Sequence, residues 1–154
     1  MAVSIRKDGN VISRQRIVFC YFSPKEIDYT PVDIGCIVAL LEQKFPGKYA
    51  CEILQLDYRL DTYARIDALR EHDVNRSVDL IGYHRPTAVF IFCESILWSK
   101  VNAFWRASSI AEELKRRQPD LFVGLQSYRA QKPQIDEVFA KGSVDCVVMG
   151  DAER

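Results

Sequence analysis

Few residues in this sequence combine a type and a neighbourhood that could do chemistry. Cys93-Glu94 puts a thiol beside a carboxylate and could serve a small-molecule hydrolase or transferase. A nucleophilic thiol needs an activating base, and the sequence sets none beside this one. There are two histidines, His72 in a charged helical stretch and His84 in a loop before an apolar run. Both are expected to be solvated surface residues. The five cysteines are odd in number and contain no C-x-x-C pair. Cys20, Cys93 and Cys146 fall inside apolar runs, as buried small hydrophobes do in a reducing cytosol; a disulfide framework or a zinc site is not indicated. The sequence has no G-x-S-x-G elbow, Walker A loop or G-x-G-x-x-G loop.

Charge and length narrow the classes further. Lys plus Arg and Asp plus Glu are both 21. A balanced chain lacks the basic face that neutralises phosphates, so no nucleic-acid partner is expected. No apolar run approaches the ~20 residues that span a bilayer, and the first residues form no apolar signal segment. A cytoplasmic protein without a membrane partner is the expectation. The 154 residues suit one domain. Residues 1–15 are expected to form a polar, partly disordered leader, and residues 16–154 a single α/β domain.

The elements that must position any site are legible as alternating patterns. Apolar runs occur at Ile17–Phe22, Tyr49–Leu56, Ala88–Cys93, Leu121–Val123 and Cys146–Met149. Runs this continuous and this rich in Val, Ile and Phe predict strands buried on both faces, as in a parallel sheet. Between them, Ile34, Ile37, Val38, Leu41 and Phe45 repeat at helical spacing and stop at Pro46-Gly47. Val101, Phe104, Ala107, Ala111 and Leu114 form a second stripe, ended by Lys115-Arg116-Arg117 and Pro119. Ile135, Val138 and Phe139 mark a last, short helix closed by Lys141-Gly142. From Thr62 to Tyr83 the period slips near Asp73-Val74-Asn75, predicting two helices or one broken helix. Alternating strands and helices with right-handed crossovers predict a doubly wound, flavodoxin-like five-stranded parallel sheet in the order 2-1-3-4-5.

Such sheets bind ligands at the carboxyl ends of their strands. Four segments there gather hydroxyls, glycines and aromatics: Ser23–Pro31, Glu94–Lys100, Gly124–Tyr128 and Gly150–Glu153. The opposite rim carries ordinary turn punctuation. Trp98, directly after the third run, could stack on a flat cofactor or pack on the next helix beside Phe104 or Trp105. A phosphoacceptor receiver needs an acidic pair after the first strand, where Tyr21-Phe22-Ser23 stands instead.

Taken in order, several rim segments resemble the N-terminal cobalamin-binding domain of cobalamin-dependent radical S-adenosylmethionine enzymes. They are Tyr29–Gly35 leading into the first helix, Arg85–Val89, Leu114–Gly124 and Asp145–Glu153. Ser95-Ile96-Leu97 resembles the S-x-L element that follows the third strand of cobalamin-binding folds. The resemblance implies a cobalamin module holding the cofactor base-off, with contacts from Ser23, Tyr29, Ser95, Leu97, Trp98, Gly124, Gln126 and Gly150. No D-x-H-x-x-G loop is present, so the lower cobalt face would be open, watered or covered by Leu97 or Trp98. No C-x-x-x-C-x-x-C is present either. The resemblance therefore assigns the iron–sulfur cluster, S-adenosylmethionine and methyl transfer or radical chemistry to a catalytic domain in cis. This chain alone is expected to be inert, and its ending on the boundary motif is read as that of an excised domain. The second reading keeps the fold and makes it a scaffold that has lost cobalamin and docks another domain or protein.

Overall fold

In the computed structural model, residues 14–23, 32–57, 67–93, 103–128 and 130–150 are described. The elements are β1 (Gln15–Ser23), α1 (Val32–Lys44), β2 (Tyr49–Asp57), α2 (Asp67–Tyr83), β3 (Ala88–Phe92), α3 (Ala103–Arg117), β4 (Phe122–Ser127), α4 (Lys132–Ala140) and β5 (Cys146–Met149). All five strands are parallel and ordered β2-β1-β3-β4-β5, as the alternation of patterns predicts.

Strand order and crossover hand decide where the helices go. The step from β1 to β2 runs one way across the sheet, and every later step runs the other way. Right-handed crossovers then put α1 on one face and α2, α3 and α4 on the opposite face. The packing follows that division. Val18, Cys20, Phe22, Val89, Ile91, Val123 and Leu125 project from the strands onto Val78 and Ile81 of α2, Phe104 to Leu114 of α3 and Val138 of α4. The alternate positions Ile17, Phe19, Tyr21, Phe90 and Phe92 face Ile34, Ile37, Val38 and Leu41 of α1. Each aliphatic side chain fully withdrawn from water on the three-helix face contributes about 1.5–3 kcal/mol.

The ends of the elements have local causes. α1 stops before Pro46-Gly47, where Gly47 takes φ 71°. Gly142 closes α4 with φ 63°, donating its N–H to the Phe139 carbonyl. The region where the period slipped is a correction: α2 runs unbroken through Asp73-Val74-Asn75. Val74, Val78 and Ile81 of that helix join the core, and the Ser77 hydroxyl donates to the Asp73 carbonyl. Residues 62–66 lie outside the described set. Phe139 is also corrected, since it is exposed while Val138 carries the packing of α4.

The cysteines divide by environment. All five are free, with Cys20 and Cys93 buried, Cys51 and Cys146 half-buried and Cys36 exposed. Burial pushes the Cys20 thiol well above its ordinary range. It also raises Cys51, helped by Glu42, and Cys146, helped by Asp145. A thiol-specific reagent at pH 8 is expected to modify Cys36 quickly, Cys51 and Cys146 slowly, and Cys20 and Cys93 only after denaturant is added. Peptide mapping at successive times reads the order, and early labelling of Cys20 would contradict this packing.

Candidate functional site

At the carboxyl ends of the strands, four of the expected cofactor contacts lie outside the described residues: Tyr29, Ser95, Leu97 and Trp98. Ser23 ends β1, and its side chain is likewise outside that set. The remaining three are described, and each has a structural duty. Gly124 faces the ring of Phe90. A Cβ there would lie 2.7 Å from two Phe90 ring carbons and 3.0 Å from the Cys146 sulfur. The glycine admits an aromatic ring of its own sheet. Gln126 is buried and donates from Nε2 to the Gly150 carbonyl at 3.0 Å. Gly150 takes φ 82°, a turn conformation that glycine adopts without a steric cost.

Nearby polar groups are tied to one another. Ser127 Oγ accepts the Ala130 N–H at 3.1 Å at the approach to α4. Tyr128 donates its hydroxyl to Asp33 Oδ2 at 3.0 Å, joining the end of β4 to the first turn of α1. Between α2 and α3, Arg106 pairs with Asp73 and lies over the Phe22 ring. Cys93 is buried, with Sγ 3.7 Å from the Ile91 carbonyl. Among the described residues no group of three His, Cys, Asp or Glu side chains converges as a metal site would require. No described helix is long and apolar enough to cross a membrane. His84 departs from the expected solvated residue: it is largely covered, pairs with Glu52 and meets the Tyr83 ring edge-on.

The feature that sequence reasoning missed lies on a face of the sheet. Among the described residues, α1 covers β1, β2 and the carboxyl half of β3, and no helix lies on the same face of β4 and β5. The expectation that every strand is buried on both faces therefore fails here: Phe122 is 40% exposed although it opens a central strand. A groove of about 510 Å³ runs along this face. Its floor is Phe19, Phe90, Phe92, Phe122 and Val148, and its wall is Ile37 and Leu41 of α1. The rings interlock across strands, with Phe19 stacked on Phe90 at 5.7 Å and Phe90 tilted against Phe122 at 5.7 Å. Apart from Gln15 and Thr87 at the amino ends of the strands, Gln126 is the polar residue along this floor. A signal was present in the sequence: among the described elements, right-handed crossovers in the order 2-1-3-4-5 put one helix on this face and three on the other.

No protein-family model matches the sequence. No curated protein matches it either. Solved structures do match in fold. The signal receiver domain of the response regulator NarL from Mycobacterium tuberculosis is 12% identical, with a TM-score of 0.54 over 90% of this chain and 86% of that one. The isolated receiver domain of RcsB from Salmonella enterica is 9% identical, with a TM-score of 0.51 over 89% and 78%. The signal receiver domain of an HD-domain protein from Pseudomonas fluorescens is 12% identical, with a TM-score of 0.50 over 92% and 88%. At these identities the likeness is one of fold. It nonetheless overturns the assignment to the cobalamin-binding domains of radical S-adenosylmethionine enzymes, together with the cobalamin-module function, the methyltransferase chemistry and the radical domain as partner. The segments that suggested that family are in large part punctuation any doubly wound sheet needs: the entry to α1, the Arg85-Pro86 turn with Arg85 at φ 48°, and the turns around β4.

Proposed function

We propose that this chain is a protein-interaction module on a receiver-type fold, working through an apolar sheet face and without phosphoryl transfer. The face of β4 and β5 that no described helix covers carries the reading, with Phe122 40% exposed on it. Phe122 is exposed and Phe90 beside it is partly so, and covering them would remove apolar area from water at ~25 cal/mol per Å². Aromatic residues are also the side chains that most often dominate interface energies. The receiver-domain neighbours are consistent with a role in passing signals between proteins. The sequence after β1, Ser23-Pro24-Lys25, supplies no acidic pair for a phosphoacceptor.

A photo-crosslinking amino acid placed at 122 in cells tests the reading. Phe122 is at the mouth of the groove and already half-exposed, so the fold should tolerate the change. Tyr83, 82% exposed at the end of α2, is the comparison position. Discrete protein adducts are expected from position 122 and not from position 83. Equal, diffuse labelling from both would remove the basis for an interface. Incubation with acetyl phosphate and magnesium should leave the protein mass unchanged, and stable phosphoryl incorporation would refute the second half of the proposal.

A further inference from the structure

We infer that a second copy of this chain pairs with β2, antiparallel across a two-fold axis at Ile53, so that the two sheets join edge to edge. This edge is at the opposite side of the sheet from β5, away from the face described above. Three observations converge on it.

The first is an edge strand without protection. β2 ends the sheet, and among the described residues no strand lies on its outer side. The outward N–H and C=O groups of an edge recruit other strands, and soluble proteins blunt such edges with short length, lysine, proline or a bulge. β2 has none of these. It runs nine residues, Tyr49–Asp57, whereas β5 at the other edge has four. It contains neither proline nor lysine. Its register with β1 is one-to-one from Gln15↔Tyr49 to Ser23↔Asp57, so no bulge turns it aside. Glu52, the charge in mid-strand, is engaged by His84.

The second is Ile53 itself. It stands at the middle of β2, level with Phe19 and so on the α1 side, and is 37% exposed. Antiparallel pairing centred there keeps the whole strand in register and sets Ile53 directly opposite the other copy's Ile53. Glu52 then falls opposite Leu54, so like charges do not meet, and Lys48 at the start of one strand comes beside Asp57 at the end of the other.

The third is the flank of α1 above this edge. Ile34 is buried against the sheet, and Ile37 and Leu41 wall the groove on the β3 side. At about 3.6 residues per turn, the opposite flank carries Gly35, Ala39 and Glu42. Glu42 is close enough to Cys51 of β2 to help raise its thiol. Phe45 meets the ring of Tyr49 at the amino end of the strand. From there, about nine helical residues at ~1.5 Å match four strand residues at ~3.3 Å, which brings residues 35–39 level with Ile53. Gly35 and Ala39 are exposed, and a Cβ on Gly35 would meet nothing within 4 Å. Residues this small leave another edge room to approach Ile53. A contact ~30 Å long and two layers deep covers on the order of 500 Å² on each copy, the low end of specific interfaces.

Sedimentation velocity of the full chain over the micromolar range should show a reversible monomer–dimer equilibrium. Ile53→Lys and, separately, Ala39→Glu should each weaken the dimer by about tenfold or more, because each sets like charges across the axis. Both side chains are exposed, so the variants should still fold, as their circular dichroism will report. In a Cys36→Ser background, which removes the exposed thiol, Ile53→Cys should form an interchain disulfide on mild oxidation, since directly opposed positions lie ~5 Å apart. Leu80→Cys, similarly exposed on α2, should not. Phe122→Glu should leave the dimer intact. A monomer at every concentration overturns the inference. So does a dimer that survives Ile53→Lys, that Phe122→Glu dissolves, or that Leu80→Cys links while Ile53→Cys does not.

Discussion

Gly124→Val is expected to destabilise the protein by about 3 kcal/mol, because a single added side chain must enter space that an aromatic ring already fills. A Cβ at this position meets the Phe90 ring at 2.7 Å, closer than real Cβ contacts come. The Phe90 ring cannot swing away freely, since it is held between Phe19 and Phe122. β4 cannot retreat either, being paired with β3 on one side and β5 on the other. Urea unfolding of Gly124→Val and Gly124→Ala should show the midpoint falling in step with added volume. The cause can be isolated by pairing Gly124→Ala with Phe90→Leu. Leucine lacks the ring carbons that meet the new methyl group, so the double variant should be more stable than the sum of the single effects by about 1 kcal/mol or more. Strict additivity would mean that the ring and the glycine do not constrain each other. Gly35→Ala and Gly82→Ala provide the contrast. Both sit in helices with nothing within 4 Å of an added Cβ, and both should gain about 0.5–1 kcal/mol from helix propensity.

The fold was legible because it depends on averaged patterns. Ile17 to Phe22 and Ala88 to Cys93 are apolar at every position, so they belong in the interior of a parallel sheet whatever their exact contacts. The spacing of Ile34, Ile37, Val38 and Leu41 needs only one surface to pack on, and the sheet supplies it. The site was not legible, for the same reason. Gly124 and Gly150 look alike in a rim motif, yet one accommodates Phe90 and the other makes a turn. Gln126 was expected as a cofactor contact in a loop after the fourth strand, whereas β4 runs on to Ser127 and the alternation turns Gln126 onto the α1 side. Continuity of apolar residues could not distinguish a strand covered twice from one covered once. Phe122 and Val148 have the composition of buried strands, and only their exposure in the folded sheet shows that they are partly open. α2 shows the converse: its hydrophobic period slips, but α3 and the sheet bury what apolar residues it has, and tertiary packing overrides the local pattern.

Asp145→Ala should cost roughly 2 kcal/mol, and the loss should depend on pH in a defined direction. Asp145 binds three elements together. One carboxylate oxygen accepts the Val123 N–H at 2.7 Å at the start of β4, and the other accepts Lys115 Nζ at 2.9 Å from the last turn of α3. Its own N–H goes to the Val123 carbonyl at 2.8 Å, just before β5. Alanine retains that last bond and removes the first two, leaving the Val123 N–H without its acceptor, a loss of about 1–3 kcal/mol. Lys115→Met should cost much less, about 1 kcal/mol or under, because the carboxylate is one-third exposed and water screens the pair. Partial burial raises the carboxyl, but the Lys115 ammonium and the Val123 N–H outweigh it, and the group ends below its ordinary range. A carboxylate lowered by folding stabilises the protein above its unfolded value, near 4, and that contribution disappears as pH falls through the lowered folded value. Glu113 acts in the same sense, held at about 2 by hydrogen bonds from Arg116 and Arg117. Stability should therefore fall between pH 5 and pH 2 in the parent protein. Asp145→Asn should be less stable at pH 7 and should show a shallower fall over that interval; Glu113→Gln should flatten it further by a smaller amount. If Asp145→Asn tracks the parent in parallel down to pH 2, the carboxylate's charge contributes nothing, and the junction of α3, β4 and β5 rests on packing alone.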